Sequence, residues 1–170
     1  SSSPGSRPLI SKFLQCHTAA SYGGRPVIPD YGGAMIREIS LSVTLTRALG
    51  GSANSRVNNA SIITRIDCFG NSVLICGDME TEAWNFALTN PNLRPIWSNF
   101  ASNVDVLVAP HHGHSSGYST ELMRIAKPKV VLISVASKNP NVDTRYSSEA
   151  VSGISINGTP YRAITTRSVG

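Results

Sequence analysis

Two apolar runs that stop abruptly in metal-binding residue types constrain this chain more than any other feature. In residues 103–117, Val104, Val106, Leu107 and Val108 lead directly into Pro110, His111, His112, Gly113 and His114. In residues 72–80, Val73, Leu74 and Ile75 lead into Gly77 and Asp78. Continuous β-branched runs of this kind predict strands buried on both faces, and in sheets of such strands ligands collect beyond the carboxyl ends. An Asp closing one strand and a histidine cluster closing another therefore predict a metal site built by the sheet.

The remaining elements follow from periodicity. Ile39, Leu41, Val43 and Leu45 alternate with Ser and Thr, which predicts a half-buried strand. Residues 61–68 predict a second strand, Gly70-Asn71 a two-residue hairpin turn, and residues 73–76 a third strand. After Asp78 the pattern becomes helical, with Glu80 and Glu82 in the first turn and Trp84, Ala87 and Leu88 on one face. Asn90-Pro91 ends that helix, and residues 92–102 read as a loop or short helix whose Trp97 and Phe100 plug the core. Residues 104–108 form the fourth strand. Ser119 or Thr120 caps a helix ended by Pro128, and residues 130–135 form another buried strand. A polar loop (137–147), one helical turn (148–151) and a last strand (161–165) complete the chain. Alternating β and α after residue 72 predicts an α/β layered fold with helices covering a mixed sheet. Residues 1–35, rich in Ser, Gly and Pro without sustained periodicity, read as a loop-rich N-terminal segment.

Composition narrows the class. At 170 residues, 41% hydrophobic and 15% charged, the chain fits one soluble globular domain and not a disordered segment. No run approaches the ~20 apolar residues of a membrane span. The opening SSSPGSRP has neither a signal-peptide core nor an initiator Met, so a processed product, trimmed piece or fragment is expected, and no compartment is indicated. Fifteen Lys and Arg against ten Asp and Glu give +5, scattered along the chain; this favours polyanionic partners and also serves plain solubility. Cys16, Cys68 and Cys76 show no paired spacing, and the latter two read as small core residues; the Cys16-His17 pair reads as incidental.

At the candidate site, Asp78 has two readings: a metal ligand, or the cap of the helix that follows. Three of the chain's four histidines fall within four residues, and imidazole is the commonest zinc ligand. His111 and His112 are the expected ligands, with His114 either a ligand or a polar residue at the site edge. Asp78 with one or two histidines falls short of the ~3 protein ligands of a catalytic zinc, and no H-x-H-x-D-H occurs in the chain to complete it. Phosphate-binding glycine loops of either usual spacing are absent.

Taken in register, N-N-A-S-I-I-T-R-I (58–66), L-I-C-G-D-M-E (74–80), D-V-L-V-A-P-H-H-G (105–113), S-T-E-L (119–122), K-P-K-V-V-L-I-S-V (127–135) and Asn139 resemble the C-terminal half of metallo-β-lactamase-fold hydrolases. The closest subtype is the competence-protein (ComEC-like) one, and the resemblance covers roughly residues 36–170. It implies an αβ/βα layered sandwich lacking its N-terminal half with H-x-H-x-D-H, that half being a separate or missing piece. It further implies one or two Zn2+ ions, with Mn2+ as the alternative, held by Asp78, His111 and His112, with Asp78 and His112 carrying the catalysis. Asn59, Ser61, His114 and Asn139 take substrate-side positions. The implied activity is phosphodiesterase or nuclease hydrolysis of a phosphodiester or related ester by metal-activated water. The alternative is a non-catalytic module that holds nucleic acid or a partner chain. The sequence departs from the subtype at His114, where the subtype has Ser, and at Asp143-Thr144, where it has His-Pro.

Overall fold

A computed structural model describes residues 33–135 and 141–166. The chain separates into two units, Ser1–Gly32 and Gly33–Gly170, and all described residues belong to the second. They form a mixed α/β fold. Its eight strands are β1 (Met35–Ile39), β2 (Ile63–Cys68), β3 (Asn71–Ile75), β4 (Val106–Val108), β5 (Val130–Ile133), β6 (Ile154–Ile156), β7 (Thr159–Tyr161) and β8 (Ala163–Thr165). Its six helices are α1 (Val43–Ala48), α2 (Ala53–Asn58), α3 (Thr81–Thr89), α4 (Arg94–Ala101), α5 (Thr120–Ala126) and α6 (Arg145–Glu149). Six strands make one sheet in the order β1-β2-β3-β4-β5-β8, and β6 and β7 form a separate hairpin. β1, β2 and β3 run antiparallel, whereas β3, β4, β5 and β8 are mutually parallel. The carboxyl ends of β3, β4 and β5 therefore lie along one edge of the sheet.

Register explains which face is buried. Arg65, Leu74, Leu107, Val131 and Ala163 form one row across β2, β3, β4, β5 and β8. Leu74, Leu107 and Val131 are fully buried in a single core with Ala83, Trp84, Leu88, Trp97, Leu122 and Met123 from α3, α4 and α5. Trp84 and Trp97 meet edge to face at 5.9 Å. Arg65 is buried in this layer, where Nε donates to Asp67 and Nη1 donates to the carbonyls of Phe100 and Ser102 at the end of α4. The opposite face carries Ile66, Val73 and Val106, and then Ile75, Val108 and Leu132, all apolar and all partly exposed.

Several elements differ from the sequence expectation, each for a local reason. The predicted strand over 39–45 is strand only to Ile39 and then turns into α1. Ser42 caps α1, its side chain accepting from Leu45 N–H, and Thr46 Oγ1 donates to the Val43 carbonyl. Leu41 and Leu45, four apart, turn to the core while Val43 is 52% exposed, so the same apolar spacing served a helix edge. The hairpin turn is Phe69-Gly70, not Gly70-Asn71: both have positive φ (47° and 79°), the two-residue geometry that matches strand twist. The short helix near 148–151 lies earlier, as α6, and β7 and β8 divide what read as one last strand.

Candidate metal-binding site

Two chain reversals, after β3 and after β4, meet at the carboxyl edge of β3, β4 and β5. The first follows β3. Gly77 has φ +56°, and a Cβ there would meet Ser61 Cβ at 2.9 Å, so only glycine fits. Ser61 Oγ accepts the Asp78 N–H (3.0 Å), Asn59 Oδ1 accepts the Glu80 N–H (2.9 Å), and Asn58 Nδ2 donates to Glu80 Oε1 (2.8 Å). The last residue of α2 and the segment after it thus grip residues 78–80 through three bonds. Asn59 is itself buried, which places it behind the site as a support for this turn. Asp78 does not cap α3: the cap position falls at Glu80, and the Asp78 side chain remains half-exposed.

The second reversal follows β4. His111 (φ 49°, ψ 47°) and His112 (φ 56°, ψ 27°) both lie in the left-handed region, followed by Gly113 at φ 71°. Left-handed backbone costs roughly 1–2 kcal/mol per non-glycine residue, so the turn stores about 2–4 kcal/mol. Strain of this kind persists only where the surroundings over-determine it. Here His111 N–H donates to the Gly77 carbonyl (2.9 Å), and the Gly113 carbonyl accepts from Asp143 N–H (2.8 Å). A Cβ on Gly113 would stand 2.6 Å from Ile133 Cγ2, so the turn packs directly on β5. Thr81 Oγ1 lies within hydrogen-bond distance of the Ser116 and Tyr118 carbonyls (2.7 and 2.8 Å), which fixes the exit of the histidine segment against the start of α3.

The side chains then meet across the edge. His112 Nε2 lies 3.6 Å from Asp78 Oδ1, and both side chains are open to solvent (59% and 47% exposed). His112 Nδ1 lies 2.9 Å from the Ser134 carbonyl beyond β5. A carbonyl can only accept, so Nδ1 carries the hydrogen and Nε2 faces Asp78. Such a back-side bond from the distal ring nitrogen is what orients metal-ligating histidines. His111 turns elsewhere: its Nδ1 lies 3.9 Å from Glu80 Oε1 and 3.0 Å from Ser116 Oγ. His114 Nδ1 lies 2.9 Å from the same hydroxyl. Asn139 lies outside the described residues.

Two donors each ~2.0–2.2 Å from a tetrahedral zinc stand about 3.4 Å apart, so the Asp78–His112 pair fits a shared cation with little movement. Among the described residues, however, no group of three or more His, Cys, Asp or Glu side chains is placed to hold a metal ion. The fit is therefore that of two donors with further ones required. Cys76 does not supply one: it is fully buried, and burial pushes its thiol far above the ordinary range, away from the thiolate a metal needs.

Glu80, Asn58, Ser116 and Ser134 all take part in this arrangement, and the sequence singled out none of them as site residues. Only Glu80, two residues past the Gly-Asp, carried any local signal. Among the described residues no helix is long and apolar enough to cross a membrane. The sequence matches no model of a known protein family, and no curated protein matches it.

Proposed function

We propose that this chain contributes part of a metal-dependent hydrolase site that cleaves a phosphodiester or related ester, with nucleic acid as the favoured substrate class. The observation that carries the reading is the approach of Asp78 Oδ1 and His112 Nε2 to 3.6 Å at the carboxyl edge of a parallel sheet. The resemblance to the C-terminal half of a metallo-β-lactamase-like αβ/βα sandwich of the ComEC-like subtype supports the same conclusion, as does the net charge of +5 for a polyanionic substrate. Further donors come, in this reading, from a separate N-terminal half bearing H-x-H-x-D-H. The apolar, partly exposed row Ile66, Val73, Val106, Ile75, Val108 and Leu132 supports such a second layer, since parallel sheets are ordinarily covered on both faces.

Within that site Asp78 and His112 would hold Zn2+, or Mn2+ in its place. When bound, such an ion acts as a Lewis acid and lowers the pKa of its water toward neutrality. The work of this chain's residues is positional. Ser134 fixes the His112 ring, Ser61 fixes the Asp78 backbone, and Asn58 and Asn59 hold Glu80 at the rear. Preorganisation of this kind keeps donors aimed without a reorganisation cost at the moment of reaction.

The shortage of donors within the chain favours one second reading, a non-catalytic module that holds nucleic acid or a partner chain. Hydrolysis of bis(p-nitrophenyl) phosphate and of single-stranded DNA, with Zn2+ or Mn2+ and with a polypeptide carrying the N-terminal half, separates the two. Metal-dependent cleavage abolished by Asp78→Asn and His112→Ala is expected. Cleavage indifferent to both substitutions refutes the hydrolase reading. Metal-independent, salt-sensitive DNA binding without cleavage supports the module.

A further inference from the structure

The histidine turn sorts its rings by tautomer. Ser116 backbone N–H donates to His114 Nδ1 (3.3 Å), so that nitrogen is an acceptor. Ser116 Oγ approaches the same nitrogen at 2.9 Å, and with a lone pair on Nδ1 the favourable arrangement points the hydroxyl hydrogen at it. That hydroxyl has no second hydrogen for His111 Nδ1, 3.0 Å away. His111 must therefore donate, Nδ1–H to Ser116 Oγ. The nearby Glu80 carboxylate, 3.9 Å from the same nitrogen, favours a hydrogen there too.

We infer that His111 and His112 are held as Nδ1–H tautomers with Nε2 bare, that His114 is held as the opposite, Nε2–H tautomer, and that Ser116 is the positioning residue that separates them. In free imidazole the hydrogen is not fixed by the ring; the bond at the other nitrogen sets it. The consequence for chemistry is a division of labour. His111 and His112 each present a lone pair, as a ligand must. His114 presents an N–H, so it is a donor suited to the non-bridging oxygen of a phosphate ester and unsuited to ligation in this state. This last step rests on the hydrolase reading proposed above, whereas the tautomers themselves rest only on the hydrogen bonds.

Two-bond 1H–15N correlation spectra of the chelator-treated full chain, recorded at about pH 8.5, above the titration range of free imidazole, read each ring directly, with assignment by single histidine substitutions. Bare Nε2 is expected for His111 and His112, and bare Nδ1 for His114. In Ser116→Ala, His111 should lose its fixed tautomer, while His114, whose Nδ1 still accepts the backbone N–H of residue 116, and His112, tied to Ser134, keep theirs; Ser116→Thr should restore His111. Nε2–H on His111, Nδ1–H on His114, or no response of His111 to Ser116→Ala overturns the inference, and the wild-type spectrum alone suffices for the first two. The expected tautomers with no Zn2+ binding would uphold the inference and count against the hydrolase reading alone.

Discussion

Gly113→Ala is the substitution that most sharply probes how the histidine turn is held. The residue has φ +71°, where an added Cβ costs ~1–2 kcal/mol. That Cβ would also stand 2.6 Å from Ile133 Cγ2. Carbon atoms normally rest ~3.5–4.0 Å apart, so the overlap is about 1 Å. Overpacking of that size in a close-packed region costs ~1–3 kcal/mol. Together these give a destabilisation of about 2–5 kcal/mol, measured as a fall in urea midpoint with the slope unchanged. The steric part can be isolated. Ile133→Leu removes Cγ2 and by itself costs less than ~1.5 kcal/mol. The double variant should then be less destabilised than the sum of the singles by ~1–3 kcal/mol, leaving mainly the backbone cost. A Gly113→Ala protein within ~0.5 kcal/mol of wild type, or strict additivity with Ile133→Leu, would refute the packing of this turn on β5.

Further outcomes follow from the same structure. Asn59→Ala should cost ~1–3 kcal/mol in urea unfolding, because it strands the Glu80 N–H that Asn59 Oδ1 accepts. Ser42→Ala should cost ~0.5–2 kcal/mol as a lost helix cap, whereas a strand at this position would be indifferent to it. Acid should destabilise the fold. Burial pushes the Asp67 carboxyl up, but hydrogen bonds from Arg37 and Arg65 outweigh it and leave it below the ordinary value; Lys129 and the Ser72 N–H lower Asp105, and Arg145 lowers Asp143. Depressed folded-state values stabilise fully above the unfolded value, so unfolding free energy should fall as pH drops below about 4, and Lys129→Met should flatten part of that slope.

The parts of the fold that could be read in the sequence are the continuous apolar strands, although only one face of them is fully buried and the expected burial on both faces is not met: Ile75 and Leu132 are each 37% exposed. Val73, Leu74, Ile75, Val106, Leu107, Val108, Val130, Val131 and Ile133 are apolar on both faces, and they form three adjacent parallel strands. Ser119 was readable as a cap because its hydroxyl does what a cap must, accepting Leu122 N–H. Leu41, Val43 and Leu45 were ambiguous for a physical reason: spacing of two along a short segment also contains the spacing of four that a helix uses. At the site, Asp78 and the histidines were visible as residue types after strands. The supports were not. Ser116, Ser134, Asn58 and the partnership of Glu80 with His111 depend on which loops meet at the sheet edge, and common polar residues carry no periodic signal of that meeting. The left-handed backbone of His111 and His112 was equally hidden, since glycine, the residue that advertises positive φ, occurs only at the third position of the turn.

Everything functional here depends on Asp78 and His112 closing on one ion. Titration of the metal-free chain with Co2+, followed by selective broadening of side-chain NMR resonances, tests this directly. Broadening should reach the Asp78 and His112 side chains together at the lowest Co2+ additions, and either Asp78→Asn or His112→Ala should weaken binding at least ~10-fold, the size of losing one charge-assisted contact of ~1.5–3 kcal/mol. Broadening of His112 with Asp78 untouched, or binding unchanged by both substitutions, would contradict a shared ion.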